Sequence, residues 1–581
     1  MVRTVVITAC VFAVTAIAIG SVTASTVFAK DQDTAKTGPP SAESVTARVD
    51  KLFAEWNRSD SPGCSLGVSR NGIPVYERGY GMANLELGVP ITPASVFHVA
   101  SISKQFTAMS ILLLAQRGQL SLDDEARKYI TEMPDYGSPL TIWHLLTHTS
   151  GLRDVFLLHE VAAPRDDVFD NDAIVKILAH QRGLNSAPGA EFQYNNGGYA
   201  LLASMVKRVS GQSLRPFADA NIFKPLGMTH THFHDDPAIL VPNRASGYSR
   251  DAGGMHVAVH PYLNHIVGNT GLFTTARDLL LWEQNFADVH VGAPALVAAM
   301  QTPAIPTGWS DTSSYGFGLE IDRYRGLRTI GHGGGDPGYR AYVARYPDQG
   351  LAFAVLCNLD DIDPATLTRR VADIYLADVF STPSAGSATS TLPHVSLSAE
   401  QLASKAGLYR DLSNGIFGRF FVRDGKLMSA AGAGTEPSVG LTPVNENRFV
   451  LAGTTLVLEF VPAAAGRAQE LHVTGVGPKP IVMQQVVATP FAPSSADLRA
   501  FAGEYTSREL EVTYTLEARD SGLVIHPPGR ADILLQPIFR NAFHGDVVEV
   551  LEFSRDTHGI VTGFTVNASA VRGLRFDRVR P

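Results

Sequence analysis

The sequence predicts an α/β (α+β) domain, an antiparallel sheet flanked by helices, followed by two small antiparallel β-barrels. Three observations predict this. Strand-like runs lie at both ends of the first 380 residues and enclose a helical middle. A Ser/Thr/Pro/Ala stretch at 381–398 then marks a change of character, after which helices nearly vanish. Beyond it the chain repeats itself. Ala406-Gly407-Leu408-Tyr409 returns as Ala502-Gly503-Glu504-Tyr505, Gly425 as Gly522, Pro443 as Pro537, Phe449 as Phe543, and Leu458-Glu459-Phe460 as Leu551-Glu552-Phe553. Five matches in one order, all 93–97 residues apart, read as two copies of one unit.

At 581 residues the chain exceeds what one core holds. Hydrophobic residues make up 45% and charged residues 18%, the balance of a folded, soluble protein, and the net charge of −8 carries no nucleic-acid footprint. Residues 1–29 read as a signal peptide: Arg3 supplies the positive start, 5–29 carry no charge, and Val27-Phe28-Ala29 suits cleavage. The run is also long enough to span a bilayer, so an uncleaved membrane anchor competes. Cys10 belongs to this segment. Export places Cys64 and Cys357 in an oxidising compartment, where one disulfide and two buried thiols remain equal readings.

In order, 30–42 is a polar lead-in and 41–56 an amphipathic helix. Residues 64–69, Asn71-Gly72 and 74–80 form a hairpin. Residues 101–282 are mostly helical, with segments at 141–146, 199–209 (stopped by Gly211) and 276–286. Strands return at 315–321, 339–346 and 351–357. Short connections make the sheet mainly antiparallel. The first domain therefore takes 43–380, the linker 381–398, and the barrels 399–487 and 496–581, joined by 488–495.

The chemistry centres on 99–118, VASISKQFTAMSILLLAQRG. Phe106, Met109, Leu112 and Leu113 recur at helical spacing up to Gly118. Ser101 and Lys104, at i and i+3, share the face of its first turn. A serine needs a neighbouring base, and a lysine acts as one when burial and a helix N-terminus lower its pKa. Tyr194 and Asn196 lie in a polar loop opening into a helix, where a phenol beside Lys104 can shuttle protons and an amide can hold the ammonium. Ile330-Gly331-His332-Gly333-Gly334-Gly335 ends a strand with no side chains after the histidine, so a substrate can approach the backbone and a free N–H can serve an oxyanion.

Three decoys are set aside. Gly63-Cys64-Ser65-Leu66-Gly67 and the His332 glycine run fit lipase patterns, but Ser65 lies inside a strand and the order is reversed. His230, His232 and His234, with Asp235 and Asp236, read as a solvated loop rather than a zinc site. His144 and His148 lack the glutamate of a zinc helix and read as packing and hydrogen-bonding residues.

Ser101-x-x-Lys104, Tyr194-x-Asn196 and His332-Gly333-Gly334 resemble the three motifs of penicillin-recognising serine hydrolases: class C β-lactamases, D,D-carboxypeptidases, D-aminopeptidases and related esterases. TIWHLLTHTSGL, YNNGGYALLASMVKRVSG, IFKPLGM and GLFTTARDLLLW are similar to that family as well. The resemblance implies a serine β-lactamase/penicillin-binding-protein-like first domain and lipocalin-like barrels like the extra domains of D-aminopeptidase-like members. It implies Ser101 as the acylated nucleophile, Lys104 and Tyr194 sharing acid/base work, and Asn196, His332, Gly333 and Gly334 lining the substrate site. The resemblance further implies an oxyanion hole made by the backbone N–H groups of Ser101 and Gly335. No cofactor or metal is implied.

The departure from the family lies at His332-Gly333, where its β-lactamases and carboxypeptidases usually carry Lys-Thr/Ser. A histidine of ordinary pKa, about 6.5, is mostly neutral at pH 7, so substrates bearing a carboxylate lose a partner. The expectation is an exported (periplasmic or secreted) hydrolase of small esters, amides or D-amino-acid peptides. A β-lactamase or D,D-carboxypeptidase is the alternative, and a non-catalytic ligand-binding protein the remote one. The expected partner is a small-molecule or peptide substrate. Nucleic acid is not expected, a membrane only if the N-terminal segment stays uncleaved, and the oligomeric state stays open.

Overall fold

Cys64 and Cys357, 293 residues apart, form a disulfide across two directly paired antiparallel strands in the computed structural model. That settles the choice between bridge and thiols, and it ties together the two ends of one sheet. Residues 44–162, 169–258, 265–380 and 395–579 are described, the last with gaps at 414, 432–437, 452–455, 463–467, 475–479, 488–490, 492, 520–521, 546–547 and 569. The expected signal peptide, the lead-in and the linker up to 394 lie outside the described residues.

The sheet contains β1 (Cys64–Arg70), β2 (Ile73–Tyr80), β3 (Ile305–Pro306), β4 (Ser314–Tyr315), β5 (Glu320–Tyr324), β6 (Leu327–Asp336), β7 (Tyr339–Tyr346) and β8 (Leu351–Cys357). Their order is β3-β4-β5-β6-β7-β8-β1-β2, with every pair antiparallel. The late β strands thus join the early hairpin, as the enclosing pattern predicts. The expected strand at 315–321 is instead split into β4 and β5. Between them Gly318, at φ +72°, brings the backbone against the Lys104 carbonyl, where a Cβ would stand 2.7 Å from that oxygen. The chain leaves the sheet there to brace a helix start.

Five helices frame the sheet: α1 (Val45–Leu52), α2 (Ser103–Gln116), α3 (Asn196–Ser210), α4 (Ala276–Gln284) and α5 (Pro364–Tyr375). Alternation on β1 and β8 sends Leu66, Val68, Phe353 and Val355 to one face, where they pack against Val49 of α1 and Leu367 and Val371 of α5. The other face carries α4, then α2 and α3. From Ser103 through Leu114 every residue of α2 is buried, so this helix is interior on all sides rather than amphipathic. The helical middle also holds short strands. Phe97–His98 and His232–Phe233 both pair with Leu272–Thr274. This overturns the solvated-loop reading for two of the three histidines: His230 stays in an exposed turn, but His232 sits in a strand, and His234 is fully buried beside it, with His232 Nε2 3.2 Å from His234 Nδ1.

Each C-terminal repeat closes into an eight-stranded antiparallel barrel, the first by Gly407–Asp411 against Ile481–Gln485, the second by Gly503–Ser507 against Val571–Arg578. The repeat extends to side-chain bonds. Tyr409 and Tyr505 are fully buried, and each donates its hydroxyl to a carbonyl four residues upstream, Lys405 and Phe501. Each barrel is entered through a capping box, Ser398 with Gln401 and Ser494 with Asp497.

The two barrels are placed differently. The first has its own core around Tyr409, Phe420 and Phe460. The second shares a continuous apolar core with the first domain. There Arg153 donates to Glu509 at 2.6 Å with both side chains nearly buried, and the same carboxylate accepts from Arg182 N. Arg153 also donates to the carbonyls of Arg572 and Gly573. Glu509→Ala leaves a buried guanidinium without its counter-ion and should cost about 3–5 kcal/mol of stability in denaturant titration. A loss below about 1 kcal/mol would mean that water reaches and solvates Arg153.

Candidate active site

Ser101 does not sit in the α-helix proper. It lies in a 3-10 turn, Ala100–Ile102, that leads into α2. Ala100 adopts φ +45°, a left-handed conformation that costs a residue with a Cβ roughly 1–3 kcal/mol. The turn is fixed from inside: Ser103 Oγ donates to Ala100 O at 2.5 Å and accepts from Leu272 N at 3.1 Å. The kink lifts Ser101 out of the helix and leaves it half-exposed, while Lys104 below it is wholly buried.

Lys104 Nζ donates to Ser101 Oγ at 3.0 Å, Asn196 Oδ1 at 2.9 Å and the Asn269 carbonyl at 2.9 Å. Its three donors have three uncharged acceptors. Burial therefore holds its pKa well below the ordinary lysine value, opposed by the more distant carboxylates of Asp336, Asp154 and Glu320. The Tyr194 ring stands against the ammonium, 4.7 Å from Nζ to the centroid. The structure thus brings Ser101, Lys104, Tyr194 and Asn196 into one constellation.

Asn196 opens α3. Asn195 caps that helix by accepting from Gly198 N, and Asn195 N donates to Nδ1 of the buried His148. His148, itself at φ +57°, lays its ring 4.3 Å from that of Tyr194. The packing and hydrogen-bonding role read for His148 is therefore correct, and it serves the site. His144 closes a capping box with Thr141. The second barrel reaches the same loop: Asn185 Nδ2 donates to Gln193 Oε1 at 2.8 Å and to the Ala570 carbonyl at 2.9 Å.

The histidine–glycine run continues as strand instead of ending one, since β6 extends to Asp336. Pairing with β5 stops at Gly331, and only β7 accompanies the remainder. The β5-side edge from His332 to Asp336 is thus open to the cleft. The Gly333 N–H acts on the Glu320 carboxylate on that side. Since N–H groups two residues apart point the same way, Gly335 N–H faces the open edge too. Gly334 presses on the nucleophile turn: a Cβ there would stand 2.2 Å from Val99 O and 3.4 Å from Ser101 N.

His332 differs from its expected state. It is 2% exposed. Its Nε2 lies 2.9 Å from the Tyr315 hydroxyl and its Nδ1 2.5 Å from Gly333 O. Tyr315 is buried with its pKa raised, so its neutral phenol donates to Nε2, and Nδ1–H donates to the carbonyl. Burial, aided by Lys104, pushes the imidazole pKa down to about 3 rather than the expected 6.5. His332 is a neutral strut beneath the cleft. Ser65 is fully buried within β1 and takes no part.

The sequence reading missed Ala100, Asn269 and Tyr315. Asn269 lies in Gly268-Asn269-Thr270-Gly271, a glycine-flanked polar stretch that signals a tight approach. Ala100 gave no signal, because it lacks the glycine, asparagine or aspartate chemistry that marks a positive φ. No cluster of three or more potential metal ligands occurs among the described residues.

A family model described as Beta-lactamase matches residues 47–376. A D-aminopeptidase of Gluconobacter oxydans is 29% identical over 326 residues, which is 55% of this chain and 60% of that protein. A D-aminopeptidase of Brucella ovis is 26% identical over 540 residues, 89% of this chain and 96% of the other, so that likeness takes in the barrels. Penicillin-binding protein 4* of Bacillus subtilis is 30% identical over 51% of this chain and 67% of its own. Among solved structures, the octameric penicillin-binding protein homologue from Pyrococcus abyssi shares the fold with a TM-score of 0.54 at 23% identity, covering 76% of this chain and 99% of that one.

Two outcomes test the geometry. Gly334→Ala should cut acylation of Ser101 by about a hundredfold or more, because β6 must retreat from the turn. Gly333→Ala, whose Cβ meets only the Tyr342 ring at 3.6 Å, should cost far less; equal losses would place the close approach elsewhere. His332, uncharged above about pH 3, should add no inflection between pH 5 and 8. The pH profile of Ser101 labelling by a neutral fluorophosphonate should keep its midpoints in His332→Gln, and a displaced midpoint would show that the imidazole titrates.

Proposed function

The chain belongs to the β-lactamase family, and on that premise we propose that it is a serine hydrolase acting through an acyl-Ser101 intermediate on small esters, amides or D-amino-acid peptides. One observation carries the reading: a buried lysine amine bonded to a half-exposed serine hydroxyl at 3.0 Å, with only uncharged acceptors around it. In the amine form, Lys104 takes the Ser101 proton as Oγ bonds to the substrate carbonyl carbon. The N–H groups of Ser101 and Gly335 hold the oxyanion. The C–O or C–N bond then breaks, and the leaving group takes a proton relayed through Lys104 and Tyr194. Water, deprotonated by the same pair, releases the acid and restores Ser101.

The relatives named D-aminopeptidase support substrates with a free amine, and so does the charge around the site. The carboxylates of Asp154, Glu320 and Asp336 act on Lys104, whereas His332, at the position where the family's β-lactamases usually carry a lysine, has no charge. Arg340, paired with Gly335 across β6 and β7, directs Nη1 to the Asp336 and Tyr339 carbonyls. These features weigh against a β-lactamase or D,D-carboxypeptidase, which needs a cation for its substrate's carboxylate, while the penicillin-binding relative keeps that reading second. Export is part of the proposal, supported by the uncharged 5–29 run and the Cys64–Cys357 bridge.

Purified protein should hydrolyse D-alanine p-nitroanilide and p-nitrophenyl esters faster than nitrocefin. Ser101→Ala should lose at least about 10⁴-fold in kcat/KM. Intact mass after fluorophosphonate treatment should show one adduct, absent in that variant. An adduct that survives in Ser101→Ala overturns the assignment.

A further inference from the structure

Trp309 is 47% exposed, and a lone exposed tryptophan needs no explanation. Its mounting does. The turn that presents it is cross-linked: Thr307 and Ser313 hydroxyls meet at 2.5 Å, Trp309 N donates to Thr307 Oγ1, and Ser310 N donates to Ser313 Oγ at 2.9 Å. The hydroxyls of Ser310 and Thr312 both donate to Asp322 on β5, which anchors the turn to the sheet. A rigid turn therefore holds an indole that is not folded away.

The covered side of that indole is part of the site. Phe192 meets it edge-on with centroids 5.3 Å apart, and the Tyr194 ring lies at 6.3 Å. Phe192 in turn contacts Tyr315 and His148, at 5.8 Å each. Tyr194 touches Lys104, so one aromatic neighbour separates Trp309 from the Ser101–Lys104 pair. The uncovered side faces solvent, at the end of this aromatic wall.

We propose that Trp309 is a specificity-determining residue, the apolar outer wall of the substrate site, and that the substrates it selects carry a flat aromatic or large alkyl group near the scissile bond. Such a group stacks on the indole and removes apolar surface from water on both partners. The exposure of an otherwise rigid ring then has a function, because the ring is covered when substrate binds. A substrate with only a methyl group gains nothing from it. The inference rests on Ser101 being the nucleophile.

The test compares wild type with Trp309→Ala and Trp309→Phe on two matched pairs, D-phenylalanine amide against D-alanine amide and D-alanine benzyl ester against its methyl ester. The first pair probes the acyl side, the second the leaving-group side. In at least one pair, wild type should prefer the aromatic member, and Trp309→Ala should shrink that kcat/KM ratio about tenfold or more, chiefly through KM. Trp309→Phe should keep most of it, which separates stacking from disturbance of the turn. Fluorophosphonate labelling of Ser101 in each variant reports that the cleft has formed. Ratios unchanged in both pairs while labelling and hydrolysis persist overturn the role of Trp309 alone. Absence of both labelling and hydrolysis in wild type overturns the hydrolase reading, and this inference with it.

Discussion

A buried amine without a contacting counter-ion governs this structure. Lys104 lies under the nucleophile turn with three neutral oxygens as acceptors. Had a carboxylate taken one of those positions, the ammonium would be locked in its charged form and useless as a base. The neutral acceptors satisfy an ammonium's three donors, yet leave its desolvation largely uncompensated. Either protonation state is then accessible, which is what proton transfer to and from Ser101 requires. The carboxylates of Asp154, Glu320 and Asp336 act from farther away and moderate the shift without abolishing it.

That arrangement needs backbone brought unusually close to backbone. Gly334 meets Val99, Gly318 meets the Lys104 carbonyl, and Ala100 takes a left-handed φ between them. Each contact is intolerant of added atoms, and together they compress the start of α2 between β6 and the β4–β5 loop. The loop carrying Tyr194 is held by His148 from within and by Asn185, which also grips the second barrel. The second barrel is consequently part of the scaffold of the site, whereas the first barrel, with its separate core, meets the second through Arg410–Glu552 and Phe417–Phe539.

The order of strands and helices, the sheet built from both chain ends and the paired barrels were legible in the sequence, because periodicity and repetition report which face of each segment is buried. Ser101, Lys104, Tyr194 and Asn196 were legible too, since their spacing fits helix starts. What escaped the sequence depends on contacts between distant segments. The 315–321 strand broke because Gly318 serves α2. The His232 stretch became strand because Leu272–Thr274 offered it an edge. His332 lies beside the open strand edge but is buried and lacks its expected ionisation, because nothing local announces that Tyr315 and the aromatic wall will enclose it.

The neutral His332 also bears on which substrates the cleft can process. The cation bonded to the serine hydroxyl is Lys104 itself. A substrate carboxylate drawn into contact with it would raise its pKa and hold the proton that Ser101 must give up. An enzyme built on this lysine can turn over carboxylate-bearing substrates only if a second cation takes that charge elsewhere. At the position beside the open strand edge where such a cation would act, the chain places an uncharged imidazole, a glycine and the carboxyl of Glu320, which burial raises to about 7. The loss of a lysine and a hydroxyl at His332-Gly333 is therefore more than weakened binding. It removes a fixed positive charge from the cleft, and a cleft without one suits an ammonium or an uncharged group near the scissile carbonyl.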